Sequence, residues 1–374
     1  MTSPSFGSGF LTYNTNIIKG VLEKDDGNEY FVFINEDLAS YFFIPNGSNI
    51  HFIKVSKKYS KTVLRYFWMQ IILPIKILFY NIDVIFSPMN IMPLVLKIFG
   101  IKCVSVIHNN LPWLFPEDVP GSKIKSLLQK FLINLTIRYS DKLIVDSQIA
   151  KDELVKIFPF ILDKTEMVYM GIEKDSFLIK RKSKIFFNPR IDIIKDNYFL
   201  TIASAVRYHC LEELILGFNS FAAEMKENRK LLLISRNLDG QYFAEINELL
   251  RNLYFKENVI IIEDIERNLI PTIYSNADLY IYPSYCDVFG LTNLEAMLCG
   301  APVLTSKLSA IPEICGNAAV YFDPRDPDDI KNKLLQVYLN DKMKKKLIKR
   351  GFTQANKYTW DNACEKTKSI IINH

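Results

Sequence analysis

Short apolar runs, separated by polar stretches with turn residues or helical spacings, recur along the whole chain. In the first half, 30–34, 50–55, 84–86, 104–107 and 143–145 read as buried strands; in the second, 199–203, 231–234, 259–262, 279–281 and 303–304 do the same. Between them apolar residues return every three or four positions, as Leu294, Met297 and Leu298 do, which is the period of a helix. Alternation of this kind predicts an α/β fold of parallel sheets covered by helices. A helix is expected over 14–22. The least regular stretch, 181–197, is charged and contains Pro189, so it is read as a linker. It divides an N-terminal domain, 1–180, from a C-terminal domain, 198–355. The tail, 356–374, carries Tyr358 and Trp360. No internal repeat or low-complexity segment is present.

The segment 66–80 is strongly apolar, yet Gln70, Pro74 and Lys76 interrupt it and it falls short of the roughly 20 residues a membrane span needs. The reading adopted is a helix packed on a sheet. A second reading stays open, because Lys57, Lys58, Lys61 and Arg65 precede the segment, and a basic segment bearing aromatics can rest on an anionic membrane face.

Length and composition agree with two globular domains, since 374 residues at roughly 150 per domain leave each long enough to bury a core. The net charge of +5 is mild and no nucleic-acid-binding motif occurs, so no nucleic-acid partner is expected. Six cysteines, Cys103, Cys210, Cys286, Cys299, Cys315 and Cys364, lack both a C-x-x-C pair and zinc-ligand spacing. They read as reduced thiols of a cytoplasmic protein, and the polar N-terminus shows no signal peptide. The acidic run 323–329 suggests a metal at first sight. Asp326 followed by Pro327, Asp328 and Asp329 is instead the pattern of a helix N-cap with proline at the first position, so no metal is expected.

The densest chemistry lies in 284–306. Asp287 and Glu295 flank Gly290, in a loop that leaves the strand 279–281 and opens a helix. Loops at the carboxyl ends of strands in open α/β sheets bind ligands against the first turn of the next helix. With Thr292 as N-cap, the amides beyond it can face a diphosphate, and Gly290 lets the backbone approach closely. Glu295, about one turn in, can accept from ribose hydroxyls, while Asp287 can reach a second sugar. Thr292-x-x-Glu295 is equally a capping box, in which the glutamate returns to the cap's own amide.

The whole string resembles the retaining glycosyltransferases of family 4. Pro283-Ser284, Phe289-Gly290-Leu291, Leu294-Glu295-Ala296-Met297, Gly300 and Pro302-Val303 match that family's signature in register, with Asp287 where its first glutamate is usual. The stretches 311–324, 167–172 and 141–147 are also similar to the family. The resemblance implies two Rossmann-like domains facing each other across a cleft, the GT-B architecture. It also implies metal-independent transfer of a hexose from a nucleoside diphosphate sugar, with retention of anomeric configuration, to a glycan or lipid-linked saccharide. The setting would be bacterial surface polysaccharide synthesis, in the cytoplasm or peripherally on the cytoplasmic face of the inner membrane. No cofactor beyond the nucleotide sugar is implied.

Carried over residue by residue, the resemblance places Glu295 at the ribose, Asp287, Val288, Phe289 and Gly290 at the donor sugar, and Leu291 and Thr292 at the diphosphate. The turn Glu263, Asp264 and Ile265 would face the base. On the acceptor side stand Gly7, Ser8 and Gly9, with His108 and Asn109, where the family has His-Asp; His108 and Asp287 are the catalytic candidates. A lone histidine at a strand end commonly serves structure instead. Only six residues precede Gly7, so either the chain starts late or its natural form begins further upstream. The family's arginine and lysine at the diphosphate are replaced near Ala203 and at His209, leaving Arg207 as the nearest cation. If Arg207 cannot reach, His209 must be protonated to stabilise the leaving group, and activity then falls as pH rises above its pKa. The rival expectation is a non-catalytic or regulatory subunit with a degraded diphosphate site.

Overall fold

The structure, a computed structural model, describes residues 9–23, 27–41, 49–177, 179, 198–226, 229–263 and 265–373. The expected linker 181–197 lies outside them. The chain folds into two compact units, one drawn from 1–110, 124–171 and 359–374, the other from 111–123 and 172–358.

The first unit holds β1 (Tyr30–Asn35) paired in parallel with β2 (Ile50–Val55). It also holds a four-stranded parallel sheet in the order β3 (Val84–Ser87), β4 (Lys102–Ile107), β5 (Lys142–Val145), β6 (Thr165–Met167). The inner strands β4 and β5 are buried on both faces, with Cys103, Val104, Val106, Leu143 and Ile144 fully buried and Ser105, polar and equally buried, hydrogen-bonded to the Ser140 hydroxyl. The pattern missed β6, a three-residue strand with one buried position.

The helix expected over 14–22 starts earlier, at Gly9, and ends at Leu22. Helix Trp360–Ile372 packs along it, with Lys368 Nζ donating to the Val21 carbonyl at 3.1 Å. The returning chain passes so close to Gly171 that a Cβ there would lie 2.2 Å from the Trp360 backbone nitrogen.

The segment 62–79 is continuously helical, with a π-turn at Trp68–Ile72. Its inner side matches the buried reading, since Trp68, Leu73 and Ile77 join a core cluster. Its outer side does not, because Val63, Phe67, Ile71, Ile75 and Phe79 are exposed.

The second unit is one six-stranded parallel sheet, ordered β12 (Ala319–Phe322), β11 (Val303–Ser306), β10 (Leu279–Tyr282), β7 (Tyr198–Ile202), β8 (Lys230–Ile234), β9 (Val259–Ile262). Strands β7, β8 and β9 run outward in one direction and β10, β11 and β12 in the other. The order therefore reverses between β7 and β10, where Phe199 lies opposite Leu279. Open sheets of this type leave a crevice at that point, outside the carboxyl ends of the strands.

Candidate functional site

Two loops meet at the reversal, 203–210 after β7 and 283–290 after β10. In the second, Asp287 Oδ1 accepts from the amides of Phe289 and Gly290 at 2.9 and 2.8 Å. Gly290 is the N-cap of helix Leu291–Leu298, with a positive φ of 76° that only glycine adopts without strain. This corrects the expected cap: Thr292 lies inside the helix, and the side chain that collects the preceding amides is that of Asp287. The capping box does not form either, since Glu295 Oε2 accepts from the Tyr274 hydroxyl at 3.1 Å. Burial pushes the Glu295 carboxyl up to about 7, against the opposing pull of Arg267. Leu291 and Thr292 open the helix, where first-turn amides have no intrahelical acceptor. Val288 is half-buried and Phe289 is buried with its ring edge-on to Tyr358.

The remaining oxygen of Asp287 ties the two loops together. Tyr282, the last residue of β10, donates its hydroxyl to Asp287 Oδ2 at 2.6 Å, and that hydroxyl oxygen lies 3.3 Å from His209 Nε2. His209 Nδ1 in turn lies 2.7 Å from the Ser204 carbonyl. Asp287 is also clamped by its backbone, because the Ser309 hydroxyl donates to its carbonyl at 2.7 Å. Sequence reading found both ends of this chain but missed Tyr282, whose only signal was a tyrosine ending a buried strand.

Both expected diphosphate cations are engaged elsewhere. Arg207 Nη2 donates to both carboxylate oxygens of Glu245, at 2.9 and 2.8 Å, and its guanidinium stands over the Tyr242 ring. His209 is buried, and desolvation lowers its pKa, outweighing the Ser204 carbonyl and Asp287 that favour the charged form. The expectation of a protonated His209 is thereby corrected, because burial keeps the ring neutral near neutral pH.

Sequence reading also missed the segment 111–123. Asp118 accepts a hydrogen bond from the Tyr285 hydroxyl, Phe115 packs edge-on against the Tyr285 ring, and Arg325 stands over that ring at 4.2 Å. Glu263 and Ile265 follow β9, the first exposed and the second half-buried; Asp264, like Gly7 and Ser8, lies outside the described residues.

In the first unit His108 follows β4. Its Nδ1 lies 2.7 Å from Asp146 Oδ2 and its Nε2 lies 3.2 Å from the Pro88 carbonyl oxygen, while Tyr13 packs edge-on at 4.4 Å. Its side chain is buried, as is that of Asp146. Asn109 is half-buried beside it, and Gly9 is the first residue of its helix. Among the described residues no cluster of His, Cys, Asp or Glu could hold a metal ion, and the six cysteines are buried and in no disulfide.

Two α/β Rossmann-like domains with parallel sheets match the GT-B architecture. Residues 184–354 match the family described as glycosyl transferases group 1. O-antigen chain mannosyltransferase B of Escherichia coli is 38% identical over 268 residues, covering 71% of this chain and 69% of that protein. The chain belongs to this glycosyltransferase family. O-antigen chain mannosyltransferase RfbU of Salmonella typhimurium is 22% identical over 235 residues, 60% of this chain and 62% of that protein, so the chain spans less than two thirds of it. Among solved structures, Anabaena Alr3699/HepE in complex with UDP-glucose superposes with a TM-score of 0.74 at 14% identity, covering 100% of this chain and 98% of that one.

Proposed function

We propose that this protein transfers a hexose from a nucleoside diphosphate sugar to a hydroxyl of a glycan or lipid-linked saccharide, with retention of anomeric configuration, in the synthesis of a bacterial surface polysaccharide. The observation that carries the reading is the meeting of the Asp287 loop, the start of helix Leu291–Leu298 and Glu295 at the strand-order reversal. There the helix N-terminus faces the diphosphate with its positive end, Glu295 holds the ribose, and Asp287 with the 288–290 backbone holds the donor sugar. The names of the relatives, mannosyltransferases of O-antigen chains, favour mannose among hexoses. With Arg207 held by Glu245, the helix end carries most of the leaving group's charge. No side chain at the loop is placed as a covalent nucleophile, so the leaving phosphate takes the acceptor proton. His108, Asn109, Gly7, Ser8 and Gly9 belong to the acceptor side, His108 as a fixed element held by Asp146. A lipid-linked acceptor puts the protein at the cytoplasmic face of the membrane.

Isothermal titration with UDP-, GDP- and ADP-sugars tests the donor site. Wild-type protein is expected to bind one of them and Glu295→Ala to lose that binding; equal affinity in the two rejects the site. A second reading, a non-catalytic subunit of the same fold, draws on the engagement of Arg207 and His209 within the protein. It is favoured if the bound donor yields no nucleoside diphosphate with or without acceptor. Activity is expected to survive EDTA; its loss, restored by a divalent cation, would overturn the metal-independent mechanism.

A further inference from the structure

One feature that the proposed donor site leaves unused is an apolar and basic surface on the first unit. Along helix 62–79, Val63, Phe67, Ile71, Ile75 and Phe79 recur every four residues, which stacks them on one side, and all are exposed, Phe79 by 77%. Helix Lys123–Tyr139 repeats the device with Ile124, Leu127, Leu128 and Phe131, while Ile133 and Ile137 are buried on its other side. Between the two, the 3-10 turn Leu94–Phe99 ends in Ile98 and Phe99, exposed by 80% and 54%.

These three elements are neighbours. Gln70 of the first helix donates to the Met92 carbonyl and accepts from the Leu94 amide, and Thr136 of the second accepts from the Met92 amide. Each helix thus turns a polar residue inward to the same short segment and leaves an apolar ridge outside. A soluble monomer rarely leaves apolar surface of this extent uncovered.

Charge decides what covers it. Between Lys57 and Tyr139 stand eleven lysines and arginines against three acids, although the whole chain carries only +5. Lys57, Lys58, Lys61 and Arg65 fringe the first ridge, and Lys125 and Lys130 the second. A second copy of the chain would bring the same basic fringe against itself, whereas an anionic bilayer offers acyl chains to the ridges and headgroup charge to the fringe. No described helix is long and apolar enough to cross a membrane, so the contact lies in the plane of the surface.

We infer that helices 62–79 and 123–139, with the turn at Ile98 and Phe99 between them, form a docking face for anionic phospholipid. The inference rests on the proposed membrane-linked acceptor for its setting but not for its test, which reads lipid binding with no donor or acceptor present.

In flotation assays the full chain is expected to rise with vesicles of phosphatidylethanolamine and phosphatidylglycerol, far less with phosphatidylcholine, and to be released by salt. Replacing Lys57, Lys58 and Lys61 together by glutamine is expected to weaken binding about 100-fold. Ile71→Glu with Ile75→Glu, or Ile124→Glu with Leu127→Glu, is expected to abolish it without lowering the melting temperature, because these side chains are exposed. Variants that float like the wild type, a wild type that ignores phosphatidylglycerol, or a wild-type dimer that these substitutions split into monomers would overturn the inference. Donor binding measured on the same variants separates the two proposals. Its absence from the wild type rejects the donor site and leaves the lipid result standing.

Discussion

Asp287 shows how a single residue decides the character of the loop. One oxygen gathers two backbone amides and the other takes the Tyr282 hydroxyl, so its geometry is set before any ligand arrives. Tyr282→Phe removes that donor while keeping the ring. If Tyr282 acts through Asp287, donor KM is expected to rise about tenfold with nucleoside diphosphate affinity unchanged. The effect should vanish in an Asp287→Asn background, as non-additivity between contacting residues requires. Equal losses for sugar nucleotide and free diphosphate would mark a merely structural tyrosine.

Glu295 gives a prediction of opposite kind. Its folded-state pKa of about 7 lies above the ordinary 4.5, so folding favours the protonated form. Its contribution to stability is complete below the unfolded value and is lost as pH rises through the folded one. Glu295→Gln should therefore melt with the wild type in acid and exceed it by about 3 kcal/mol in mild alkali. Parallel melting curves across pH would refute the raised pKa of this carboxyl.

At the scale of elements, strands and helix ends were legible to different degrees. The apolar runs marked the central strands because burial on both faces demands continuous apolar sequence, and the acidic run resolved as read, with Asp326 Oδ1 accepting from the Asp328 and Asp329 amides. Asp326→Ala should cost about 1 kcal/mol, read as a lowered melting temperature. The cap at Gly290 was not legible, since Thr292-x-x-Glu295 satisfies the same rule two residues later and only the path of the chain chooses between them. Gly290→Ala must adopt the same positive φ and sets its Cβ 3.0 Å from Asn293 Nδ2, so a loss of about 1 to 2 kcal/mol is expected by denaturant titration. Helix 62–79 was half legible. Its spacing gave the helix and its buried side, but which apolar residues find a partner depends on what stands opposite.

Across the whole molecule, the sequence by itself determined the alternation of strands and helices, and through the 283–303 frame it pointed to the family and to the two carboxylates proposed for the donor, Asp287 and Glu295. These follow from local periodicity and from residues close in the chain, where a few bonds fix geometry. Tertiary structure alone decided the pairings between distant positions: Arg207 with Glu245, His108 with Asp146, and His209 with Tyr282. It alone also turned His209 from a prospective cation into a neutral ring, and left a ridge of apolar side chains facing outward. Burial and charge pairing depend on neighbours brought together by sheet order, and a linear pattern of residues carries no record of which neighbours those are.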